Sequence, residues 1–466
     1  MEGKEIKNLM DMNDKKVKES LTQKLYYTYN EIRKAAPSSV YIYLIAILFR
    51  YINILELVLA DNFIDDWDNS FAVNVSIVLN YLNIHHYTRK EYGISKYIVF
   101  YCICLVFYIF LAFLIMVMFS KRIRKSSLTI FIYYYLSFVS LIVINGFSLS
   151  FYYIIGNFML QNNELYFEEK NYDTFGIINI IIGAIGLLLM VFVFIMKLIY
   201  LHTDNPFSNF ALKGSGRLLE LVLEFEKMLI ALYFLVDTGY TIIQQFSLLL
   251  LVIVFLKLYL KLNSKPYYNL NIDIFANFCE GFYFFSVITI NFSMFVDGSN
   301  INENVLFYIF ILNLVLAIFN VFFCLKYGAR KLIYKKASVL TEEDARRTII
   351  YLTICSMNLS YNYYREKATT YIKSHNKDCP NSQCPCFCII RTQKSLPLLQ
   401  KYYVEFIEKL AEDLHYSFPR NIDILIYLLG IKVFKQAKYA KSISIYNSTK
   451  NLKTDMIKGF ELFCIR

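Results

Sequence analysis

The sequence predicts an all-α membrane protein. About eight spans form a polytopic helical bundle over 40–328, and a cytosolic α-helical domain with a small zinc knuckle follows. Three observations carry this reading: the composition, the spacing of apolar runs, and one compact cluster of cysteine and histidine. The 466 residues are 57% apolar and only 18% charged, with a mean hydropathy of +0.42. A soluble domain is about 45–50% apolar and about 25% charged. Seven prolines and fifteen glycines exclude a collagen-like or Pro/Gly-rich disordered chain.

Residues 1–39 alternate Lys with Glu and Asp and lack the apolar core of a signal peptide, so they read as a cytosolic amphipathic segment. Runs long enough to cross about 30 Å of hydrocarbon follow at 40–60, 98–119, 128–157, 175–200, 218–238, 244–262, 273–296 and 304–327. A weaker stretch, 71–87, is broken by Asn74, Ser76, Asn80, Asn83 and two histidines, and reads as interfacial or re-entrant.

Lys and Arg gather on the cytosolic side of a membrane. Lys121, Arg122, Arg124 and Lys125 follow the second run, and Lys213 and Arg217 the fourth. Lys257, Lys261 and Lys265 close the sixth, and Arg330, Lys331, Lys335 and Lys336 the eighth. The alternate loops hold Glu164, Glu168 and Glu169, or Asp297 and Glu303. With eight spans, both termini are cytosolic.

Charges inside the spans are costly, about 2.5–3.5 kcal/mol at a helix centre. Arg50 lies mid-way along the first span and Glu280 within the seventh, and one reading pairs them. Glu220 and Glu224 sit one turn apart in the fifth, near Lys227. These groups could line an ion or proton path, or form structural ion pairs with snorkelling side chains. Asn145, Asn291, Asn313 and Asn320 read as hydrogen-bond partners between helices.

Beyond the last span the pattern turns amphipathic. Residues 329–466 hold 23 Lys/Arg and 12 Asp/Glu, which accounts for the whole net charge of +11. Such a tail is drawn to an anionic inner leaflet by about 1 kcal/mol per basic residue. The basic residues are scattered and match no nucleic-acid-binding motif, so nucleic acid is not expected as a partner. Cytosolic helices occupy 329–374. Thr341 is an N-cap ahead of Glu342, Glu343 and Asp344, whose charge suits the helix dipole.

The most specific feature is 375–388, where four of the ten cysteines and one of the five histidines fall. His375, Cys379, Cys384 and Cys386 have the spacing H-x3-C-x4-C-x-C, with Cys388 as a spare. Thiolates and imidazole are the donors zinc takes in a tetrahedron, and four protein ligands make a structural site with no open position. A disulfide is disfavoured in a reducing compartment. Palmitoylation of Cys384, Cys386 and Cys388 and plain surface thiols remain alternatives.

From 396 to 466 a helical tail continues. Leu398, Leu399, Tyr402, Phe406, Leu410 and Leu414 recur at helical spacing. Ile422 to Tyr446 suggests a helix pair broken near Gly430 to Phe434, and Lys453 to Cys464 opens another helix, as in a truncated product or a tail that packs on a partner.

Membrane spans, two cytosolic helices, the element His375, Cys379, Cys384, Cys386 and then helix pairs resemble the tiny-macrocysts (TmcB/TmcC) family of TPR-repeat-containing membrane proteins. The likeness covers about 300–466 with some specificity and the spans in architecture alone. It implies a fold and a membrane location more than an activity, and the sensor domains of longer relatives are absent from this chain.

Two functions compete. One is a membrane scaffold or sensor whose zinc-stabilised helices bind a cytosolic protein partner. The other is an ion channel or transporter using Arg50, Glu280, Glu220 and Glu224; the lack of an internal repeat counts against it. No Asp-His-His-Cys element, Walker A loop, H-E-x-x-H or G-x-S-x-G occurs, so no enzyme is expected.

Overall fold

The computed structural model describes residues 20–59, 95–120, 123, 126–168, 174–203, 214, 216–235, 240–263, 267–295, 303–330, 334, 340–379, 381, 383–391, 396–435, 445 and 456–465. Among these residues all regular structure is helical. The stretch 71–87 lies outside them, as do most of the loop charges that set the expected orientation.

Helix α1 (Leu21–Lys34) opens on a capping box. The Gln23 amide donates to Ser20 Oγ and the Ser20 amide to Gln23 Oε1, both at 3.2 Å. Arg33 and Lys34 complement the dipole at its end. The bundle then comprises α2 (Val40–Leu59), α3 (Ser95–Phe119), α4 (Leu128–Phe138), α5 (Ile144–Glu168) and α6 (Thr174–Met196). After these come α7 (Arg217–Leu235), α8 (Tyr240–Asn263), α9 (Leu270–Phe295) and α10 (Glu303–Arg330). A π segment, Val139–Val143, joins α4 to α5, and another, Lys197–Leu201, ends α6.

Each expected run is helical where it is described. Among the described residues, five stretches are long and apolar enough to cross a membrane: Tyr97–Phe119, Leu128–Leu160, Gly176–Leu201, Leu270–Thr289 and Tyr308–Lys326. α2 is apolar over the shorter Val40–Leu55, and α7 carries Glu220, Glu224, Glu226 and Lys227.

The packing suits a bundle in lipid, apolar outside and polar within. Leu188, Val252, Phe319 and Phe322 face outward, while Arg50, Lys197, Glu226 and Lys257 are buried. α5 lies along α2, α6 and α7, and α9 along α2, α8 and α10. Gly146 lets α2 and α5 come close, because a Cβ there would meet the Ala46 carbonyl oxygen at 3.3 Å. Asn53 Nδ2 donates to the Gly146 carbonyl at 2.8 Å across the same crossing.

A second core follows. It is built by α11 (Glu342–Met357), α12 (Asn362–Asp378), α13 (Pro385–Arg391), α14 (Leu396–Ser417) and α15 (Ile422–Gly430) around Ile349, Leu352, Ile372, Tyr403 and Phe406. Thr341 caps α11 as expected, accepting from the Asp344 amide at 3.2 Å. On α14 the buried face runs Leu399, Tyr403, Phe406, Ile407, Leu410 and Leu414, while Leu398 is exposed.

No break occurs near Gly430. The helix continues as a third π segment, Ile431–Lys435, because Ile431 is buried and Lys432 reaches Glu412 and Glu408 at 2.7 and 3.0 Å.

The last described helix, α16 (Met456–Ile465), folds back on the bundle. Phe460 packs against Tyr26 and Tyr200, and Glu461 accepts from Arg33 at 3.0 Å and Thr203 at 3.1 Å. Its Lys458 and Leu462 meet Asp423 and the apolar residues of α15.

Candidate metal centre and buried charge layer

The chain reverses sharply after α12. That helix runs through His375 and ends at Asp378, so the imidazole projects from its last turn. Cys379 is extended, with φ −86° and ψ 113°. The turn is held by Asn381, whose Oδ1 accepts from the Gln383 amide at 2.9 Å and whose carbonyl accepts from the Cys384 amide at 3.0 Å. Pro385 starts α13, a position where its missing N–H costs nothing, and Cys386 follows in the first turn.

The reversal brings His375, Cys379, Cys384 and Cys386 together, with their ligand atoms all within 4.8 Å of one another. Cys384 Sγ lies 3.8 Å from His375 Nε2. Tetrahedral bonds of 2.0–2.3 Å place donors about 3.5–3.8 Å apart, so a small contraction seats an ion. These four residues could hold a metal ion. Cys388, exposed on α13, is outside the group.

Neighbouring side chains orient the donors. The His375 ring meets Phe406 edge-on at 5.0 Å and Tyr334 at 5.9 Å. Tyr334 in turn hydrogen-bonds Asp378. Cys386 Sγ donates to Asn376 Oδ1 at 3.4 Å. Burial pushes the Cys384 and Cys386 thiols above their ordinary range and holds His375 below its own, which leaves the imidazole neutral and able to ligate.

Inside the bundle the ionisable groups form one layer, but the Arg50–Glu280 pairing expected from sequence is corrected. Arg50 pairs with Glu220 at 3.6 Å and donates to the Asn145 side chain at 2.9 Å. Glu280 instead meets Lys257 at 3.1 Å and Lys261 at 3.6 Å, and accepts from Tyr51 at 2.6 Å. Lys197, delivered by the second π segment, bonds Glu220 at 3.0 Å and also Asn145.

Glu224 holds Lys227 at 2.9 Å and accepts from Tyr152 at 3.0 Å. Lys257, fully buried, bridges Glu226 at 2.7 Å to Glu280. Two tyrosines complete it: Tyr267 donates to Glu220 at 2.9 Å and Tyr283 to Glu226 at 3.0 Å.

Sequence reasoning missed Lys197, Glu226 and the interior role of Lys257 and Lys261. The last two had counted as loop charge. Their i,i+4 spacing on α8 matches that of Glu220 and Glu224 on α7, which was the available signal. The four asparagines do join helices: Asn291 to Ser247, Asn313 to Thr289, and Asn320 to the Asn277 carbonyl, besides Asn145.

No protein-family model, curated protein or solved structure matches the chain.

Proposed function

We propose that the chain is a multi-pass membrane scaffold or sensor whose cytosolic helices are stapled by one structural zinc ion and present a surface to a protein partner. The observation that carries this reading is the donor set: one imidazole and three thiols within 4.8 Å. Three sulfurs and a nitrogen are soft enough to favour zinc over magnesium or calcium. Four protein ligands leave no coordination position for a reacting water, so no catalytic role is proposed. Both termini are assigned to the cytosolic face, with the basic tail beside anionic lipid and no part played by nucleic acid. The resemblance to the tiny-macrocysts family rests on the same four residues and belongs to the proposal.

The channel or transporter reading has less support. Arg50, Glu220, Glu224 and Glu280 are each held by fixed partners, as expected of a layer that locks helices together.

Elemental analysis of the purified, reduced full chain tests the assignment, with one zinc per chain expected. A well-folded chain without zinc would overturn it, and fatty acid on Cys384 and Cys386 would make the cluster a membrane anchor. Recovery of a specific soluble protein with the zinc-loaded chain, and not with Cys384→Ser, tests the scaffold role.

A further inference from the structure

We infer that two consecutive residues just ahead of α9, Tyr267 and Tyr268, couple the metal centre to the buried charge layer. This rests on the metal reading above. Tyr267 belongs to the bundle core, and its hydroxyl donates to Glu220 at 2.9 Å. Tyr268 belongs to the second core, the one that contains Cys384 and Cys386. Both rings are buried, and Leu270, at the start of α9, joins the second core too.

The two residues are joined by one planar peptide that holds their Cα atoms about 3.8 Å apart, so a backbone shift at Tyr268 is passed on to Tyr267. Close-packed cores shift between discrete arrangements rather than deform smoothly, and here two such cores meet at one peptide.

The chemistry gives the coupling a direction. Metal fixes the reversal between α12 and α13, and with it the packing of Cys386, Ile389 and Tyr403 in the core where Tyr268 sits. Losing the ion loosens that core, because a closed metal site converts binding energy into folding energy. A displaced Tyr268 then draws Tyr267 away from Glu220. The carboxylate would keep Lys197 and Arg50 but lose a neutral donor, in a layer where a lost donor is costly. The Tyr267–Tyr268 pair is thus a lever by which metal loading sets the firmness of the charge layer, at the first turn of α7.

Hydrogen exchange read by mass spectrometry on the full chain in lipid nanodiscs tests this, with bound zinc measured on the same samples. Chelation is expected to raise exchange severalfold in peptides covering 217–224 and 267–276 while leaving 97–119 unchanged. Tyr268→Ala should keep one zinc per chain and lose the response at 217–224. Tyr267→Phe, which keeps the ring and removes the hydroxyl, should lose it there and retain it at 267–276.

The coupling is overturned if a zinc-bearing chain shows no change at 217–224 on chelation. It is overturned equally if Tyr268→Ala responds like the native chain, which would put the route through α16, or if 97–119 loosens to the same degree. Should Tyr268→Ala not fold, the native chain and Tyr267→Phe decide the matter. A chain that binds no zinc overturns the metal reading and the coupling together, and the metal measurement shows that separately.

Discussion

Cys384 and Cys388 lie four residues apart yet occupy opposite environments, one buried among the donors and one exposed. Cys384→Ser should therefore lower both zinc content and melting temperature, whereas Cys388→Ser should change neither; metal analysis and a thermal melt read both. The direction of the proton shifts adds a pH signature. Without metal, the Cys384 and Cys386 thiols are held above their ordinary value of 9.0 and His375 below 6.5, in each case chiefly by burial. The unfolded chain gains protons on histidine below about 6.5 and loses thiol protons above about 9. The metal-free fold should thus be firmest between those limits and weaken on either side. Zinc must displace the thiol protons, so its apparent affinity should rise about tenfold per pH unit for each proton released. Chelator competition at two pH values checks the slope. In the bundle, Lys257 is the residue whose loss should hurt most. Lys257→Met leaves Glu226 and Glu280 facing each other without their shared cation, at a cost of about 3–5 kcal/mol. Folding yield and thermal stability in detergent would show it.

Among the elements, α11 is the clearest case of a local rule deciding a boundary. Thr341→Ala removes the cap on the Asp344 amide and should cost about 1 kcal/mol in the module's stability. The helices themselves were legible because apolar runs of span length and amphipathic repeats are local signals. The candidate metal cluster was legible because its four residues fall within a dozen positions. What was not legible is pairing across the bundle. Arg50 lies mid-way along its span and Glu280 two turns inside its own, so sequence matched them to each other. Which carboxylate faces which base depends on helix rotation, and no short-range pattern encodes that. The π segments were equally hidden, since Lys197 sits in a run that reads as ordinary helix and Lys432 in a stretch that reads as a helix break. A double-mutant comparison separates the two pairings. Arg50→Leu combined with Glu220→Leu should recover more folding yield than Arg50→Leu combined with Glu280→Leu.

At the scale of the whole molecule, α16 ties three parts together: the first described helix, the end of α6 and the second core. Arg33 and Glu461 are 3.0 Å apart although 428 residues separate them. That contact places α1 and α16 at one end of the bundle, so reporters fused near residue 20 and after residue 466 should respond from the same side of a membrane. Opposite responses would break this arrangement. The three π segments among the described residues bear on how such a chain tolerates change in its gene. A π turn holds one residue more than the α turn it replaces. Lys197 and Lys432 stand within such turns and Asn145 just after one, where an uninterrupted α-helix would aim them elsewhere. Loss of a single codon inside Val139–Val143 lets the helix close as α and keeps α5 in phase, at the expense of one side chain. The same loss in the middle of α6 swings every later position on that helix by about 100° and turns its lipid-facing residues inward. The π turn ahead of Asn145 is, in this respect, a place where the gene can shorten without turning the helix behind it.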